Sequence, residues 1–199
     1  MEDIRTDAAL LAEAGRSPEL FALVFDRHFE TIYRYVERRA GRDAADELSG
    51  EVFRIGFEHR SRFRPVHESA LPWLYGLATN LLLKHWRRES RQVRALARLK
   101  GGWPEDEHDA AAVDARVDAQ ALGGQLLAAL ARLPQADRDV LLLFAWEELS
   151  YEEVATALGI PEGTVRSRLN RARRSLRAFL GDLDYAMPAL GVATGKDAG

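Results

Sequence analysis

The chain lacks cysteine altogether and has only five histidines among its 199 residues. Without cysteine there can be no disulfide scaffold, no zinc site with thiolate ligands and no cysteine nucleophile. The histidines show no HExxH or similar metal-binding spacing, and no GxxxxGKS or GxxxxGKT loop is present to hold a nucleotide phosphate. We therefore expect no catalytic activity, no metal site and no bound cofactor.

Long hydrophobic runs are also missing. No apolar stretch approaches the roughly 20 residues that a helix needs to cross a bilayer. The first residues, Met1 to Ile4, are acidic and do not show the basic and then apolar layout of a secretory signal. With 47% hydrophobic and 30% charged residues, the composition is that of a soluble globular protein. We expect a cytoplasmic protein without membrane insertion.

Neither sign of charge is in large excess, because the formal net charge is only −3. The charges are, however, segregated along the chain. One basic block comprises Lys84, Arg87, Arg88, Arg91, Arg94, Arg98 and Lys100, and a second comprises Arg166, Arg168, Arg171, Arg173, Arg174 and Arg177. Residues 105–118, which lie between them, contain six acidic side chains. This asymmetry indicates two separate nucleic-acid-binding surfaces. The alternative is a pair of solvated helix faces on either side of a solvated linker.

The apolar residues indicate helices and no strand, because they recur at spacings of three and four. We expect an all-α protein of two small helical domains joined by a flexible acidic linker. The first domain is expected to span residues 5–97 and the linker residues 98–121. The second domain is expected over residues 122–180 and a loose tail over residues 181–199.

Three helices are expected in the first domain. Ser17 and Pro18 are typical of a helix start, and that helix should end at Gly41. Its inward face should carry a row of large apolar residues, namely Phe21, Phe25, Phe29, Ile32 and Val36. A second helix should span about residues 43–59, and a third should begin near Ser69 and continue into the first basic block.

The sharpest local signal lies in the second domain. Ser150 and Glu153 have the spacing of a capping box, which predicts a helix start. Gly159 suits a left-handed helix end, and Pro161 suits the first turn of the next helix. The outward and first-turn side chains of that helix, which are expected to bind DNA, are Thr164, Arg166, Ser167, Arg168, Asn170, Arg171 and Arg174. The pattern predicts a helix-turn-helix motif, and the alternative is an ordinary helical hairpin with a solvated basic face.

Two parts of the chain resemble the extracytoplasmic-function sigma factors of bacterial RNA polymerase. Their region 2 is similar to VFDRHFETIYRYVERRAGRDAADELSGEVF (residues 24–53) and to ALPWLYGLATNLLLKHWRR (residues 70–88). Their region 4 is similar to residues 133–176, which run from LPQADRD to RARRSL. The two matches occur in the family's order, which makes them highly specific together. The alternative is a helix-turn-helix regulator acting without polymerase, which would leave residues 20–95 unexplained.

The resemblance implies a function in transcription initiation, in which the chain binds core polymerase and promoter DNA and is controlled by an anti-sigma factor. The implied core-binding residues are Asp46, Glu47, Leu48, Glu51 and Phe53. The implied contacts to the −10 element follow a loop over residues 63–72 and are Trp73, Tyr75, Asn80, Lys84, Trp86, Arg87 and Arg88. Aromatic rings beside cationic side chains suit single-stranded DNA. The recognition helix of the helix-turn-helix would read the −35 element.

The sequence departs from the family in the expected core-binding helix. The family usually has Glu-Asp-Leu-Thr-Gln-Glu where residues 46–51 of this chain read Asp-Glu-Leu-Ser-Gly-Glu. The acidic pair is inverted, and Gly50 stands in the middle of the expected helix, where glycine costs about 1 kcal/mol relative to alanine. In the helix expected at the −10 element, Lys84 stands where an aspartate is common, so that face is more basic.

Overall fold

The computed structural model describes residues 4–64, 66–99 and 124–180. These residues form α-helices, two short 3-10 helices (Pro18–Leu20 and Arg60–Arg62) and no strand, which confirms the predicted all-α fold. The α-helices are α1 Asp7–Ala14, α2 Phe21–Ala40, α3 Arg42–His59, α4 Leu71–Leu99, α5 Gly124–Ala131, α6 Gln135–Ala145, α7 Tyr151–Leu158 and α8 Glu162–Leu180. None of the helices within the described ranges is long and apolar enough to span a membrane. The predicted linker beyond the end of α4 and the predicted tail lie outside the described residues.

Helices α1 to α4 form the first domain. Helices α2 and α3 are joined by Gly41 alone and pack against each other, and α4 packs against both. Gly41 has a φ of 80°, a conformation that glycine adopts without steric cost, and its amide donates to the carbonyl of Glu37 at 2.9 Å. The helix end predicted at Gly41 is therefore confirmed. The fully buried core between these helices includes Ile32, Val36, Val52, Leu74 and Ala78.

The start and inner face of α2 differ from the prediction. Ser17 makes no side-chain cap hydrogen bond, and a 3-10 turn precedes α2, which begins at Phe21. Phe25 was expected to lie inward but is 37% exposed. Its ring stacks on Phe29 and meets Phe53 edge-on, with centroids 4.8 and 4.9 Å away. Phe25 therefore covers the two neighbouring rings instead of entering the core itself.

Helix α1 is not predicted from the sequence. The hydroxyl of Thr6 caps it by accepting a hydrogen bond from the Ala9 amide at 3.3 Å. Leu10, Leu11 and Ala14 are buried against the rest of the domain, so α1 covers the side of the bundle next to the 3-10 helix Arg60–Arg62.

Helices α5 to α8 form the second domain, in which α7 and α8 are the predicted helix-turn-helix. The Ser150 hydroxyl accepts from the Glu153 amide at 3.2 Å, and the Glu153 carboxylate accepts from the Ser150 amide at 2.8 Å. The capping box is therefore confirmed. Gly159 has a φ of 62° and a ψ of 37°, which confirms the left-handed helix end. Pro161 lies directly before α8 and caps it with its carbonyl, so it precedes the first turn and does not lie within it.

The two domains pack together along α4 and α7. One close approach is at Gly76 of α4, where the missing side chain leaves room for the backbone of α7. A β-carbon at this position would overlap the carbonyl oxygen of Ala157 and would lie 3.2 Å from its carbonyl carbon. The interdomain packing therefore requires glycine at this position.

Gly50 and Gly76 allow a matched test of this packing, since both lie inside helices. Gly50→Ala should raise the free energy of unfolding by about 1 kcal/mol, because alanine has the higher helix propensity and nothing lies within 4 Å of the added methyl group. Gly76→Ala should instead lower the thermal midpoint or separate the domains, because its methyl group displaces the backbone of α7. Circular dichroism and small-angle scattering measure the two effects. Equal stabilisation by both substitutions would contradict the close approach.

Candidate nucleic-acid interface

The outward face of α8 carries the side chains predicted to bind DNA in the second domain. Those exposed to solvent are Arg166, Ser167, Asn170, Arg171 and Arg174, and the half-buried ones are Thr164 and Arg168. The opposite face is buried in the domain and consists of Val165, Leu169, Ala172 and Leu176. The structure thus brings the predicted recognition residues together on one positively charged surface.

Arg171 has a partner within the protein. Its guanidinium donates two hydrogen bonds to the carboxylate of Asp137, from Nε at 2.5 Å and from Nη2 at 2.6 Å. Asp137 lies in the first turn of α6, and its side chain is 1% exposed. A bidentate pair of this kind fixes the orientation of both groups. Arg171 therefore holds α8 against α6, a role that the sequence does not indicate. In this conformation Nε and Nη2 of its guanidinium both donate to Asp137.

Other contacts order the surface of α8 further. The guanidinium of Arg166 lies over the ring of Tyr151, 5.7 Å from its centroid, and that of Arg173 lies 5.5 Å from the centroid of Phe144. Such cation–π contacts are attractive. The Ser167 hydroxyl donates to the carbonyl of Thr164 at 3.0 Å. Part of the surface predicted to bind DNA is therefore organised by contacts within the protein.

Helix α4 carries the residues predicted to contact the −10 element, and its period of about 100° per residue divides them between two faces. The outward stripe comprises Trp73, Asn80, Lys84, Arg87 and Arg88, of which all but the half-buried Trp73 are exposed. Tyr75 and Trp86 lie on the opposite face, where Tyr75 is 2% exposed and Trp86 packs against the core. Tyr75 is therefore not accessible to DNA in this conformation, Trp86 is half-buried as Trp73 is, and DNA contact by Tyr75 and Trp86 stays a prediction. The helical period alone could have separated them from the others.

The predicted polymerase-binding residues of α3 divide in a similar way. Those at the surface are the exposed Asp46 and Glu47 and the half-buried Leu48 and Glu51. Glu51 accepts two hydrogen bonds from Arg54, from Nε and Nη2, each at 2.6 Å. Phe53 is buried beneath Phe25 and is not accessible in this conformation, so its contact with polymerase stays a prediction. Phe25, which packs on Phe53, is 37% exposed.

Arg39 of α2 joins the two domains. Its Nη1 donates to the hydroxyl of Tyr35 at 2.6 Å, and its Nη2 donates to the carboxylate of Asp139 in α6. The guanidinium also lies 5.2 Å from the ring centroid of Tyr35 and 5.1 Å from that of Trp86. Arg39 is 4% exposed. A buried charge is tolerated only when it is paired, and this charge is paired with the other domain.

A second interdomain contact centres on Glu147, which lies between α6 and α7. Its carboxylate accepts a hydrogen bond from Arg38 and another from the Tyr75 hydroxyl, the latter at 2.6 Å. Burial raises the pKa of Tyr75, and the hydrogen bond to Glu147 raises it further, so the phenol keeps the proton that it donates. Tyr75, which the sequence predicts as a −10 contact, is therefore held beneath the second domain.

An open cavity of about 260 Å³ lies where the loop before α4 meets α7. Its lining includes Phe63, Val66, His67, Pro72, Trp73 and Thr156. The ring of Phe63 lies 5.2 Å from that of Trp73, and Nε2 of His67 lies 3.0 Å from the hydroxyl of Thr156. Aromatic and apolar walls of this kind suit an unstacked base, and α7 supplies one of the walls.

The described parts of the chain contain no group of three or more histidine, aspartate or glutamate side chains placed to hold a metal ion. The buried Asp137 and Asp139 are paired with arginines instead. The exposed surfaces of α4 and α8 are positively charged, so the ligand that they suit is a polyanion such as DNA.

The Arg39–Asp139 pair predicts how the domains respond when one charge is removed. Arg39→Met leaves Asp139 buried without its ion pair, and such a loss costs about 3–5 kcal/mol. The domains should therefore separate so that Asp139 reaches water, and the radius of gyration from small-angle scattering should rise. Arg34→Met is the matched control, because Arg34 pairs with Glu30 on the exposed side of the same helix. A radius of gyration unchanged by Arg39→Met would contradict the role of this pair.

Comparisons with known proteins agree with this geometry. The model described as Sigma-70 region 2 matches residues 24–92, and that described as Sigma-70, region 4 matches residues 123–176. ECF RNA polymerase sigma factor SigE of Mycolicibacterium smegmatis is 35% identical over 160 residues, which are 77% of this chain and 59% of that protein. EcfG of Rhodopseudomonas palustris is 32% identical over 69% of this chain and 72% of its own length. SigL of Mycobacterium tuberculosis is 29% identical, over 90% of this chain and 97% of its own length.

Two solved structures have the same fold. The structure of CnrH in complex with the cytosolic domain of CnrY matches with a TM-score of 0.58 and 23% identity over 87% of this chain and 96% of that one. The structure of the sigma factor RpoE in complex with the anti-sigma factor NepR from Bartonella quintana matches with a TM-score of 0.56 and 22% identity. The match covers 84% of this chain and 97% of that one. A regulator acting without polymerase is not favoured, because such a protein would not contain region 2. The chain belongs to the extracytoplasmic-function (ECF) sigma factors of bacterial RNA polymerase.

Proposed function

We propose that this sigma factor binds core RNA polymerase and directs it to promoters whose −10 and −35 elements it recognises with separate domains. The observation that carries the proposal is the pair of exposed basic helix faces, on α4 and α8, in the domains that match region 2 and region 4. Positive surfaces bind DNA largely by neutralising phosphates, while side chains at base edges supply specificity. The chain contributes these binding surfaces and itself catalyses no reaction.

At the −35 element, α8 is the reading helix. In a helix-turn-helix the second helix lies in the major groove with its first turns at the base edges. This placement assigns base reading to Thr164, Arg166, Ser167 and Asn170. Arg168 and Arg174 bind phosphates. Arg171 positions the helix through Asp137, since its guanidinium is already paired.

At the −10 element, the contacts come from residues 63–64 and 66–70, named the −10 loop below, and from the outward stripe of α4. Lys84, Arg87 and Arg88 follow the phosphate backbone of the opened strand, and Trp73 with its neighbouring cavity takes an unstacked base. The aromatic wall accepts any base by stacking, so the preference for particular bases comes from the polar groups of the −10 loop around it.

Core polymerase binds the surface of α3. Asp46 and Glu47 offer exposed negative charge, and the half-buried Leu48 and the exposed edge of Phe25 offer apolar area beside it. Aromatic side chains are enriched in protein–protein interfaces. We assign the main contact to this surface, with Phe53 as its buried support.

Promoter binding requires the two domains to separate. In the described conformation the Tyr75 hydroxyl is bonded to Glu147, and Thr156 of α7 forms one wall of the cavity beside Trp73. Core polymerase holds the separated domains at a fixed spacing and raises the effective concentration of each at its own element. Tyr75 becomes available to DNA only after this separation.

A protein that restrains the sigma factor is part of the proposal. Two sigma factors of the same fold were solved with protein partners, CnrH with the cytosolic domain of CnrY and RpoE with the anti-sigma factor NepR. We assign an anti-sigma factor to this chain as well. Both proteins would meet in the cytoplasm, where RNA polymerase acts.

The free protein should bind promoter duplexes weakly and with strong salt dependence, because each small domain makes few phosphate contacts alone. Added core polymerase should give specific binding and transcription. A library of promoter fragments, assayed by mobility shift and by transcript yield with and without core polymerase, measures both effects. Tight and sequence-specific binding by the free protein would contradict the proposal.

Substitutions on α8 should separate reading from positioning. Asn170→Ala should relax selectivity at one −35 position, where a good pair of contacts to a base is worth about 1–3 kcal/mol. Arg171→Ala should weaken binding to all promoters alike, because it loosens α8 without removing a base contact. Holoenzyme binding to promoters with single −35 substitutions measures both. Selectivity unaffected by Asn170→Ala but lost with Arg171→Ala would reverse the two assignments.

A further inference from the structure

A buried carboxylate joins α1 to the start of α4. Asp7, the first residue of α1, is 5% exposed. Its Oδ2 accepts a hydrogen bond from the amide of Ala70 at 2.9 Å and lies 2.5 Å from Nε2 of His28. Its Oδ1 accepts from Nη1 of Arg27 at 3.0 Å. Helix α1, helix α2 and the end of the −10 loop therefore meet at one side chain.

Asp7 is held in its ionised form. Burial alone would raise its pKa, but the hydrogen bonds from His28, Ala70 and Arg27 and the charge of His28 outweigh burial and lower the pKa to about 2. An ionised carboxylate can only accept hydrogen bonds. The acceptor for the Ala70 amide is therefore present throughout the neutral pH range.

Two more hydrogen bonds connect α1 with the −10 loop and with the 3-10 helix that precedes it. The amide of Ala8 donates to the carbonyl of Glu68 at 3.1 Å, within the loop. Nε of Arg60 donates to the carbonyl of Ala14 at 2.9 Å, and Arg60 begins the 3-10 helix that leads into the loop. Helix α1 thus holds the loop near its beginning and at its end.

We propose that Asp7 is a positioning residue for recognition of the −10 element, acting through the Ala70 amide and the loop that ends there. The proposal rests on the assignment of that loop to the −10 element. Val66, His67 and Ser69 of the loop line the cavity beside Trp73, which lies only three residues after Ala70. A shift at Ala70 would therefore change both the cavity and the start of α4.

A purely structural role for α1 makes a different prediction. Leu10, Leu11 and Ala14 are buried, so α1 also stabilises the first domain as a whole. A loss of stability alone would lower the amount of active protein and would affect all promoters equally. A displaced loop would change the discrimination among −10 sequences while the −35 element is still read normally.

The test compares two substitutions on α1 in the full-length chain assembled with core polymerase. Asp7→Asn removes the charge with little change in size. Glu13→Gln is the matched control, because Glu13 is a carboxylate of the same helix that pairs with Arg5 at the surface, where its side chain is 58% exposed. Promoter opening is measured by permanganate reactivity of unpaired thymines on promoters with single substitutions in either element. Assembly with core polymerase and thermal unfolding are measured in parallel.

Asp7→Asn should reduce discrimination among −10 sequences by about tenfold, since small misplacements of contacting groups cost one to two orders of magnitude. Discrimination at the −35 element and assembly with core polymerase should stay unchanged, and Glu13→Gln should behave as wild type. His28→Ala leaves the Asp7 carboxylate in place but removes one of its partners. It should show a smaller loss of −10 discrimination, and it tests the proposal if Asp7→Asn does not fold. Wild-type discrimination in both Asp7→Asn and His28→Ala, or equal losses at both elements, would overturn the proposal. A wild-type holoenzyme that opens no promoter would instead overturn the proposed function.

Discussion

The arrangement of the two domains depends on one buried guanidinium. Arg39 lies between the rings of Tyr35 and Trp86 and is paired with Asp139 of the other domain. A buried ion pair adds little net stability, because the cost of desolvation offsets the attraction. Its effect is on position, since any other packing of the domains would leave two buried charges without partners. The glycine at position 76 complements it by allowing the helix backbones to approach.

The first turn of α6 connects this interdomain contact to the DNA-facing helix. Asp137 binds Arg171 of α8, and Asp139 binds Arg39 of α2. Arg138, which lies between them, donates to the carbonyls that end α5 and follow it. Three successive side chains on a helix point in three directions, so each can form hydrogen bonds with a different neighbouring helix. Of these bonds, the one from Asp139 to Arg39 joins the two domains, whereas those from Asp137 to Arg171 lie within the second domain. The contact that orients α8 therefore does not depend on the Arg39–Asp139 pair.

The features that could be predicted from the sequence depend on neighbours a few residues apart. Ser150, Glu153 and Gly159 form a capping box and a helix end within ten residues, and both were correctly predicted. The bonds that assign roles to Asp7, Tyr75 and Arg171 join residues 63, 72 and 34 positions apart. Local patterns carry no information about such pairs, so the interdomain contacts could not be found in this way. Helix α1 does have a local signal, because the Thr6 cap precedes a run rich in alanine and leucine. The opposite faces of α4 are an intermediate case, because the helical period indicates two faces but does not show what covers the inner one.

Helix α4 serves two purposes that its geometry keeps apart. Its outward stripe, with Asn80, Lys84 and Arg87, is exposed while the domains are packed together. Its inner face, with Tyr75 and Trp86, packs against Tyr35 and Arg39 and supports this arrangement. Under the proposed function, phosphate binding by the outward face precedes separation of the domains, since the ion pairs described between the domains do not involve these side chains. The proposed base site, in contrast, is the cavity beside Trp73, which α7 partly closes. The proposal therefore divides promoter binding into a weak encounter governed by charge, made by the closed form, and base recognition after α7 has moved away from α4.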